Sequence, residues 1–549
     1  MIKEKFIYYI STADDIFRNG KLFDKACDCY KKARDLYDLL DESAKHDYSS
    51  LIDKVTLKYC DYIKNQAAEG YKKKNYRKAL LFYEDLMFLS KDEQNFPFFE
   101  MADCQKQQGA IKTAIKTYKK GLEFSPSKYD VFRILGDLYS MIKSDCKEDE
   151  DKNTFSSIQN YEEYCRHYFK NASVYAALGR AYSKLSNEYS FRDKQIEYFK
   201  KALELKPDDF ENNKNLALFY ADKENNFEMA KKYFDKALSI FSNHDYLFLY
   251  ATFLIKYKNF SKGWELYYHR LEKETNQTPY PQIDKPRWKG EDISDKTLLV
   301  SCEQGFGDSI MFLRFIEQIT GKAKRVIFRV HDALYSLIKE NNFPFDTVKE
   351  SEKLENIDFD CHIPLLDIPH IINLQPETIP SSPYLKADEE KVLYFKNKYF
   401  NHNKLKIGFV WRGNPQFYNK NRDIPVSAVD LFSTLKGAEF YSLQLKIKET
   451  EFKGNIHPVL LGGEFKDFSY TAAALKNLDY LVSSDNGVLH LAGALGVKTI
   501  CLLNCDAEYR WMNEEGKCSW YDSLTIFRQT WDKKWDNAVK AAVEYIKAH

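Results

Sequence analysis

Residues 296–319 read KTLLVSCEQGFGDSIMFLRFIEQI, a pattern that predicts a buried strand, a glycine loop and a helix in succession. The apolar run TLLV suits a strand that is covered on both faces of a parallel sheet. In the loop, Gly305 and Gly307 allow a tight turn and a close approach of the backbone to a ligand. Asp308 follows at the carboxyl end of the strand, where open α/β sheets bind ligands. An aspartate that only caps the helix fits the same residues, and GFGD is not the GxGxxG of dinucleotide sites.

Further strands are predicted after this stretch, with helical segments between them. Strands that alternate with helices indicate parallel sheets. We therefore expect two Rossmann-like lobes at 296–400 and 401–549, preceded by a linker over 273–295 in which proline and glycine cluster. The predicted strands are RVIFRV (325–330), DFDCHIPLL (358–366), KIGFVW (406–411), AEFYSLQ (438–444), LDYLVSS (478–484) and KTICLL (498–503).

The first half of the chain, residues 1–272, is predicted to be an α-solenoid of TPR-like repeats. Small and aromatic residues return roughly every 34 to 35 residues, as in the TPR template. Close packing of two helices needs small residues, and a proline ends the second helix of a pair. The clearest unit contains Ala102, Ala114, Tyr118, Gly121 and Pro126. The array is suited to holding an extended peptide, and a dimerisation or support arm is an equal alternative.

An acidic stretch near 142–163 interrupts the repeat pattern. We interpret its run of acidic residues as a solvated loop inserted within a repeat, because blocks of like charge repel one another. An acidic docking site is the alternative.

Composition excludes several classes of function. The 549 residues contain 82 Lys+Arg and 81 Asp+Glu, so the net charge of +1 gives no reason to expect a nucleic-acid partner. No apolar run reaches the roughly 18 residues of a membrane span, and the start of the chain does not resemble a secretory signal. The 11 cysteines are scattered and form no CxxC pair, which predicts free thiols in a cytoplasmic protein.

A second ligand-binding pattern lies at SSDNGVLH, residues 483–490. Asp485 and Gly487 follow an apolar strand and precede a helix, and a helix N-terminus there would favour a diphosphate. His490 would lie one turn into the helix, within reach of a phosphate. A packed core histidine is the alternative for this residue.

A third pattern is the polar loop that follows the strand at 406–411. It contains three cations, Arg412, Lys420 and Arg422, any of which could clamp a phosphate. Loops commonly contain arginine, so the loop alone indicates little.

Together these segments resemble the heptosyltransferase-type glycosyltransferases of family 9, in the bacterial subgroup fused to TPR repeats. The resemblance rests on PRWKGEDISDKTLLVSCEQGFGDSIMFLRF, GFVWRGNPQFYNKNRDIP, FSYTAAALKNLDYLVSSDNGVLHLAGALG and WYDSLTIFRQ, and it covers about half the chain in order. The architecture is also similar to that of the O-GlcNAc transferases. The resemblance implies a GT-B fold of two Rossmann-like lobes and an inverting transfer from a nucleotide sugar, with no metal or other cofactor required.

The resemblance also implies roles for individual residues. Asp308 would be the catalytic base, and Arg422 would contact the donor phosphate. Asp485, Asn486, Gly487 and His490 would hold the nucleotide diphosphate, with Gln444 as a further nucleotide contact. Arg412 departs from the family pattern, because a small residue is usual there, and it would either add a phosphate contact or obstruct the donor. The DxD-like segment Asp358-Phe359-Asp360 is interpreted as a strand and its edge, not as a metal site.

The expected partners are a nucleotide-sugar donor and an acceptor protein or glycan that the TPR surface holds. A homo-oligomer is compatible with the same array. Two alternatives remain open at this point. One is a non-catalytic TPR scaffold with a degenerate GT-B domain that binds protein partners. The other is a different nucleotide-sugar enzyme with two Rossmann lobes, such as an epimerase.

Overall fold

The computed structural model describes residues 1–19, 23–90, 93–185, 189–222, 224–273, 280–413, 420–447 and 451–549. The chain divides into two compact units, Met1–Pro207 and Asp208–His549. Among the helices within these ranges, none combines the length and apolar character needed to cross a bilayer.

The first unit is helical. Its helices are α1 (Ile2–Asn19), α2 (Phe23–Asp38), α3 (Glu42–Lys72), α4 (Tyr76–Leu89), α5 (Phe98–Gln107), α6 (Ile111–Phe124), α7 (Asp130–Met141), α8 (Lys147–His167), α9 (Ala172–Lys184) and α10 (Tyr189–Leu205). Each odd-numbered helix packs against the helix that follows it. Such tandem helix pairs are the architecture of repeat solenoids, as the spacing of small residues predicts.

Small residues allow the close packing within each pair. Ala102 and Ala114 of the clearest predicted unit are fully buried. A Cβ atom on Gly179 of α9 would lie only 2.6 Å from the ring of Phe199 on α10. The glycine therefore makes room for the aromatic ring that fills the space between the two helices.

The expectation of a solvated loop at the acidic stretch is wrong, because most of it forms α8. Glu148, Asp149 and Glu150 occupy the first turn of this helix, where the helix dipole favours negative charge. One face of α8 is buried, and its Ser157 donates a hydrogen bond to the carbonyl oxygen of Gly136 at 2.8 Å. The acidic run is thus the start of an amphipathic helix.

The second unit begins with two further helix pairs. These are α11 (Phe210–Asp222) with α12 (Phe227–Ile240), and α13 (His244–Lys256) with α14 (Phe260–Tyr267). A 3₁₀ turn at Tyr268–Glu272 follows α14 directly. The repeat pattern therefore continues up to the segment in which the sequence predicts a linker.

The first parallel sheet has the strand order β3-β2-β1-β4. Its strands are β1 (Ile293–Ser301), β2 (Ala323–Val330), β3 (Asp346–Lys349) and β4 (Cys361–Pro364). The helices around it are α15 (Phe306–Leu313), α16 (Glu317–Thr320), α17 (Asp332–Glu340), α18 (Ile368–Ile371) and α19 (Glu389–Tyr399). The predicted strand, glycine loop and helix at 296–319 are present in that order, whereas β3 is not among the predicted strands.

The second sheet has the order β10-β11-β9-β8-β5-β6-β7 and is parallel except for β10. Its strands are β5 (Leu405–Val410), β6 (Ala438–Ser442), β7 (Val459–Leu460), β8 (Tyr480–Ser483), β9 (Thr499–Leu503), β10 (Gly516–Lys517) and β11 (Leu524–Arg528). The accompanying helices are α20 (Val426–Val429), α21 (Phe468–Leu475), α22 (Gly487–Ala494) and α23 (Asp536–Ala548). The two sheets are consistent with two Rossmann-like lobes.

In each sheet the strand order reverses at one point, between β1 and β4 and between β5 and β8. Ligands of open α/β sheets bind at the carboxyl ends of the strands beside such a point. The glycine loop follows β1, the Asp485 loop follows β8, and the loop with Arg422 follows β5. The three sequence patterns therefore lie where the topology favours a ligand.

A buried ion cluster connects the 3₁₀ turn to the first sheet. The guanidinium of Arg270 donates to Glu303 at 3.0 Å and to Asp367 at 2.7 Å, and Asp367 also pairs with Arg287. Arg270, Glu303 and Asp367 are almost completely excluded from solvent. Glu303 comes two residues before Gly305, so the cluster fixes the start of the glycine loop.

Replacing Gly179 with alanine tests the packing of the repeats. We expect Gly179→Ala to destabilise the first unit by about 1–3 kcal/mol, because the added methyl group collides with Phe199. Urea unfolding followed by far-ultraviolet circular dichroism measures the change in free energy.

Arg180→Ala, at an exposed position of the same helix, is the matched control and should change stability by less than about 0.5 kcal/mol. A Gly179→Ala protein that is more stable than the wild type would show that the two helices are not closely packed at this point.

Candidate functional site

Asp308 lies in the first turn of α15, immediately after the glycine loop. The backbone N–H of Gly305 donates to Asp308 Oδ2 at 3.2 Å, so the carboxylate does cap the helix. Asp308 is only 7% exposed. Its carboxylate is therefore held in one orientation by the loop that precedes it.

Arg510 provides the other contact of this carboxylate. Its Nη2 lies 3.1 Å from Asp308 Oδ1, and its Nη1 donates to Glu508 Oε2 at 2.7 Å. Burial alone would lower the pKa of Arg510, but the charges of Asp308 and Glu508 raise it well above its usual value. The guanidinium thus stays charged between two carboxylates.

The Asp485 loop is organised around Asn486, which caps α22. Asn486 Oδ1 accepts from the backbone N–H groups of Val488 at 2.9 Å and Leu489 at 3.2 Å. Two amides of the first turn are therefore already satisfied by this side chain. The predicted anion cradle at this helix is reduced to the amides that Asn486 leaves uncapped.

His490 is buried between its own loop, which contains Asp485, and the segment that contains Trp511 and Tyr521. Its Nδ1 forms a hydrogen bond with the hydroxyl of Tyr521 at 3.0 Å, and its Nε2 lies 3.6 Å from Asp485 Oδ1. Its ring stacks on Trp511 with a centroid distance of 5.4 Å. Burial would raise the pKa of Asp485, but the neighbouring imidazole of His490 and the charge of Arg510 hold it below its usual range.

The glycine loop of the first sheet touches the start of α22 in the second. A Cβ atom on Gly307 would lie 2.8 Å from His490 Cδ2, and one on Gly487 would lie 3.4 Å from the Cβ atom of Phe306. At position 307 only glycine permits this approach without displacing a neighbour. The structure therefore brings Asp308 together with the Asp485 loop, as expected for a site between two lobes.

Arg422 belongs to the same charged region. Its guanidinium lies over Gly413, where an added Cβ would be 2.5 Å from Nη2. The positive charges of Arg510 and Arg422 lower the pKa of Glu508. Burial and the carboxylates of Asp485 and Asp308 outweigh these two charges, so the pKa of Glu508 is raised overall. Asp308, Asp485, Glu508, Arg422, His490 and Arg510 form what we call the charged cluster.

The remaining predicted residues lie apart from these contacts. Gln444 Oε1 accepts the backbone N–H of Arg412 at 3.2 Å, and the Arg412 guanidinium pairs with Glu451 at 3.2 Å. In the part of the chain that the structure describes, no hydrogen bond joins Gln444 or Arg412 to the charged cluster. The side chain of Lys420 lies outside the described residues.

Sequence reasoning missed Arg510 and Glu508, and it gave no role to Trp520 and Tyr521. Trp520 Nε1 donates to the carbonyl oxygen of Arg510 at 2.6 Å, and Tyr521 bonds to His490. A signal was available, because Glu508 and Arg510 follow β9 at the same edge of the sheet as the Asp485 loop.

A cavity of about 400 Å³ opens beside the charged cluster. Helices α11 and α13 line one side of it with Asp222, Phe248, Phe253 and Lys256, and Gln304, Glu508 and Arg510 line the other. Tyr267 bridges the two sides, accepting from Gln304 Nε2 at 3.1 Å and bonding to Tyr509 at 2.8 Å. The cavity can admit a side chain or a sugar beside Glu508 and Arg510, and Arg510 is the ion-pair partner of Asp308.

The fold and the site define a chain of TPR-like helical repeats followed by two parallel α/β sheets with a charged cluster between them. The family model of the tetratricopeptide repeat matches residues 172–209 and 215–244, which confirms the predicted repeats there. Protein FlbA of Caulobacter vibrioides is 26% identical over 314 residues, and the match covers 51% of this chain. The match also covers 51% of FlbA, so the chain spans about half the length of that relative.

Two structures of MamA are among the solved structures that match about a third of this chain. MamA from Desulfovibrio magneticus RS-1, residues 41 to the end, is 18% identical and covers 33% of this chain and 94% of its own, with a TM-score of 0.28. Another MamA structure is 22% identical and covers 33% and 91%, also with a TM-score of 0.28.

Removing the guanidinium of Arg510 tests the energetic importance of the charged cluster. We expect Arg510→Ala to destabilise the second unit by about 3–5 kcal/mol, because the Asp308 and Glu508 carboxylates lose their shared cation. All seven tryptophans lie beyond residue 208, so tryptophan fluorescence during urea unfolding reports on this unit.

The matched control is Arg325→Ala, whose ion pair with Asp346 is about half exposed, at 53% and 52%. It should cost less than about 1 kcal/mol. Equal losses in the two variants would show that the Arg510 pairs are no stronger than a surface contact.

Proposed function

We propose that the chain is an inverting glycosyltransferase of the GT-B type that uses a nucleotide-sugar donor without a metal ion. The sugar passes to an acceptor hydroxyl, and the helical repeats favour a protein as the acceptor. The resemblance to the family 9 glycosyltransferases supports this proposal. The observation that carries it is the meeting of the Asp308 loop with the Asp485 loop at the facing edges of two parallel sheets.

Asp308 has the position and surroundings of a general base. Its Oδ2 accepts the N–H of Gly305, whereas Oδ1 lies 3.1 Å from a nitrogen of Arg510 and accepts no hydrogen bond from the described residues, which leaves Oδ1 for the proton of an acceptor hydroxyl. Arg510 acts here as a positioning residue, because it sets the orientation of the carboxylate. The adjacent cavity reaches Gln304, in the loop before Asp308, and Arg510, the ion-pair partner of Asp308.

The reaction is a direct displacement at the anomeric carbon. The acceptor oxygen bonds to that carbon from the face opposite the diphosphate, while its proton passes to Asp308. The bond from the carbon to the diphosphate oxygen breaks at the same time, so the leaving nucleoside diphosphate takes the electron pair. Negative charge therefore builds on the phosphate as the sugar acquires oxocarbenium character.

Arg422 and His490 are the groups that can stabilise the leaving diphosphate. Glu508 accepts a hydrogen bond from Arg510 and interacts electrostatically with Arg422. A bound diphosphate therefore competes with Glu508 for these two cations. The helix dipole of α22 adds to the attraction even though Asn486 caps two of its amides.

Donor consumption by Asp308→Asn tests the proposal. The full chain is incubated with nucleoside diphosphate sugars of each base. Transfer of the sugar to water or to an acceptor is followed through the nucleoside diphosphate that is released. We expect Asp308→Asn to lower the rate by about 10²–10⁴-fold, because the amide cannot accept the proton, while the affinity for the donor changes little.

Asp358→Asn is the matched control, since it makes the same change at an exposed position and should keep the wild-type rate. Near-normal turnover by Asp308→Asn rules out this residue as the base. If the wild-type chain neither binds nor consumes any of these sugars, the alternative of a non-catalytic TPR scaffold replaces the proposal.

A further inference from the structure

Three residues with metal-binding side chains follow three adjacent strands of the first sheet. Cys302 comes directly after β1, His331 after β2 and Glu350 after β3. These strands are neighbours in the order β3-β2-β1 and run parallel. The sheet itself therefore places a thiol, an imidazole and a carboxylate side by side at its carboxyl edge.

The distances suit coordination of a single ion. One potential ligand atom from each residue, sulfur, ring nitrogen and carboxylate oxygen, lies within 4.8 Å of the other two. His331 Nδ1 and Glu350 Oε2 are 2.6 Å apart. Ligand atoms around a tetrahedral zinc ion are roughly 3.5 Å apart, so small side-chain movements convert the present contacts into a coordination shell.

The surroundings of these side chains are incomplete without a further partner. Cys302 is 2% exposed, and His331 Nε2 is buried with no hydrogen-bond partner among the described residues. A buried polar atom without a partner costs free energy, and it calls for an explanation in a native fold. Arg329 donates to the carbonyl oxygen of Glu350. Burial and the charge of Glu350 raise the pKa of the Cys302 thiol, and the charge of Arg329 opposes this rise only in part, so a bound metal ion has to displace the thiol proton.

A second cavity gives access to two of these three residues, His331 and Glu350. Its volume is about 510 Å³, and it is lined by Phe306, His331, Asp332, Ala333, Glu350 and Ser351. An ion held by three protein side chains has a fourth position free for water or another oxygen ligand. His331 and Glu350 line the cavity, so that position faces it.

We propose that Cys302, His331 and Glu350 bind a thiophilic divalent cation of the Zn²⁺ class, with an open fourth position toward this cavity. Thiolate and imidazole ligands select Zn²⁺ over Mg²⁺ or Ca²⁺, which prefer oxygen. The ion bound here takes no part in the chemical step of sugar transfer, which we assign to the charged cluster. Its effect is on the glycine loop, because Cys302 leads into that loop and the ring of Phe306 packs edge-on against His331 at 5.2 Å.

A second group of possible ligands, His244, His269 and Glu272, lies in the helical part of the same unit. Both imidazoles contact one carboxylate oxygen of Glu272, at 3.2 and 3.0 Å. His269 forms a hydrogen bond with this oxygen, whereas the contact of His244 is an ion-pair distance only, and the three side chains are 37–44% exposed. The group contains no sulfur, and this difference allows a spectroscopic distinction between the two groups.

Binding of Co²⁺ in place of Zn²⁺ tests the site. The full chain is stripped with a chelator, titrated with Co²⁺, and examined for the thiolate-to-cobalt charge-transfer band that a sulfur ligand produces. We expect one equivalent with this band, displaced by one equivalent of Zn²⁺. Cys302→Ser and His331→Ala each remove a direct ligand of the ion. Each should therefore weaken Co²⁺ binding by more than the 10–100-fold that is typical of an outer-shell change.

The controls separate this site from other thiols and from the exposed histidines. Cys361→Ser removes a buried thiol from the neighbouring strand β4, and His269→Ala disables the exposed group. Both should keep the band and the affinity. If Cys302→Ser does not fold, Glu350→Gln serves instead, because its side chain is 40% exposed and its loss should weaken binding without unfolding the sheet.

The proposal fails if the wild-type chain gives no thiolate band, or if a folded Cys302→Ser or His331→Ala protein retains it with unchanged affinity. Donor consumption is measured on the same samples with and without Zn²⁺. Failure of the metal site leaves that activity as it was, so the two proposals are judged separately.

Discussion

Arg270, in the turn that ends the helical pairs of the second unit, donates hydrogen bonds to Glu303 and Asp367, and all three side chains are buried. Charges without solvent are tolerated only when they are paired, so this cluster permits one arrangement of the turn and the end of β1. Burial raises the pKa of Glu303, although the charge of Arg270 opposes this shift. For Arg270, burial would lower the pKa, but the charges of Glu303 and Asp367 outweigh burial and raise it. The position of the glycine loop, and with it that of Asp308, depends on these contacts.

The two sheets contribute in different ways to the charged cluster. The first provides a carboxylate on a short, glycine-containing loop, and the second provides cations and the start of α22. Gly307 and Gly487 let the backbones approach until Asp308, Arg510 and His490 occupy one small region. The same unit also holds α11 to α14, and the cavity beside α13 opens onto Arg510 and Glu508 of the charged cluster.

The elements of the fold could be predicted because each rests on a local pattern. Buried strands such as β1, β8 and β9 are apolar runs, and the helical pairs show small residues at a fixed spacing. The acidic start of α8 was misinterpreted, because a block of like charge resembles a loop unless the apolar face behind it is counted. The capping by Asn486 and the pairing of Asp308 with Arg510 could not be predicted, because the first depends on a loop conformation and the second joins residues about 200 positions apart. Short edge strands such as β7 and β10 carry too few residues to show a pattern.

The central claim is that the loops containing Asp308, Asp485 and Arg510 form one binding site for a nucleoside diphosphate. Backbone hydrogen exchange, measured by mass spectrometry with and without saturating nucleoside diphosphates of each base, tests it most directly. We expect one of these nucleotides to slow exchange in all three loops together, over residues 304–308, 484–490 and 508–511. Exchange that is unchanged in these loops with every nucleotide, or slowed only in the helical repeats, would contradict the claim.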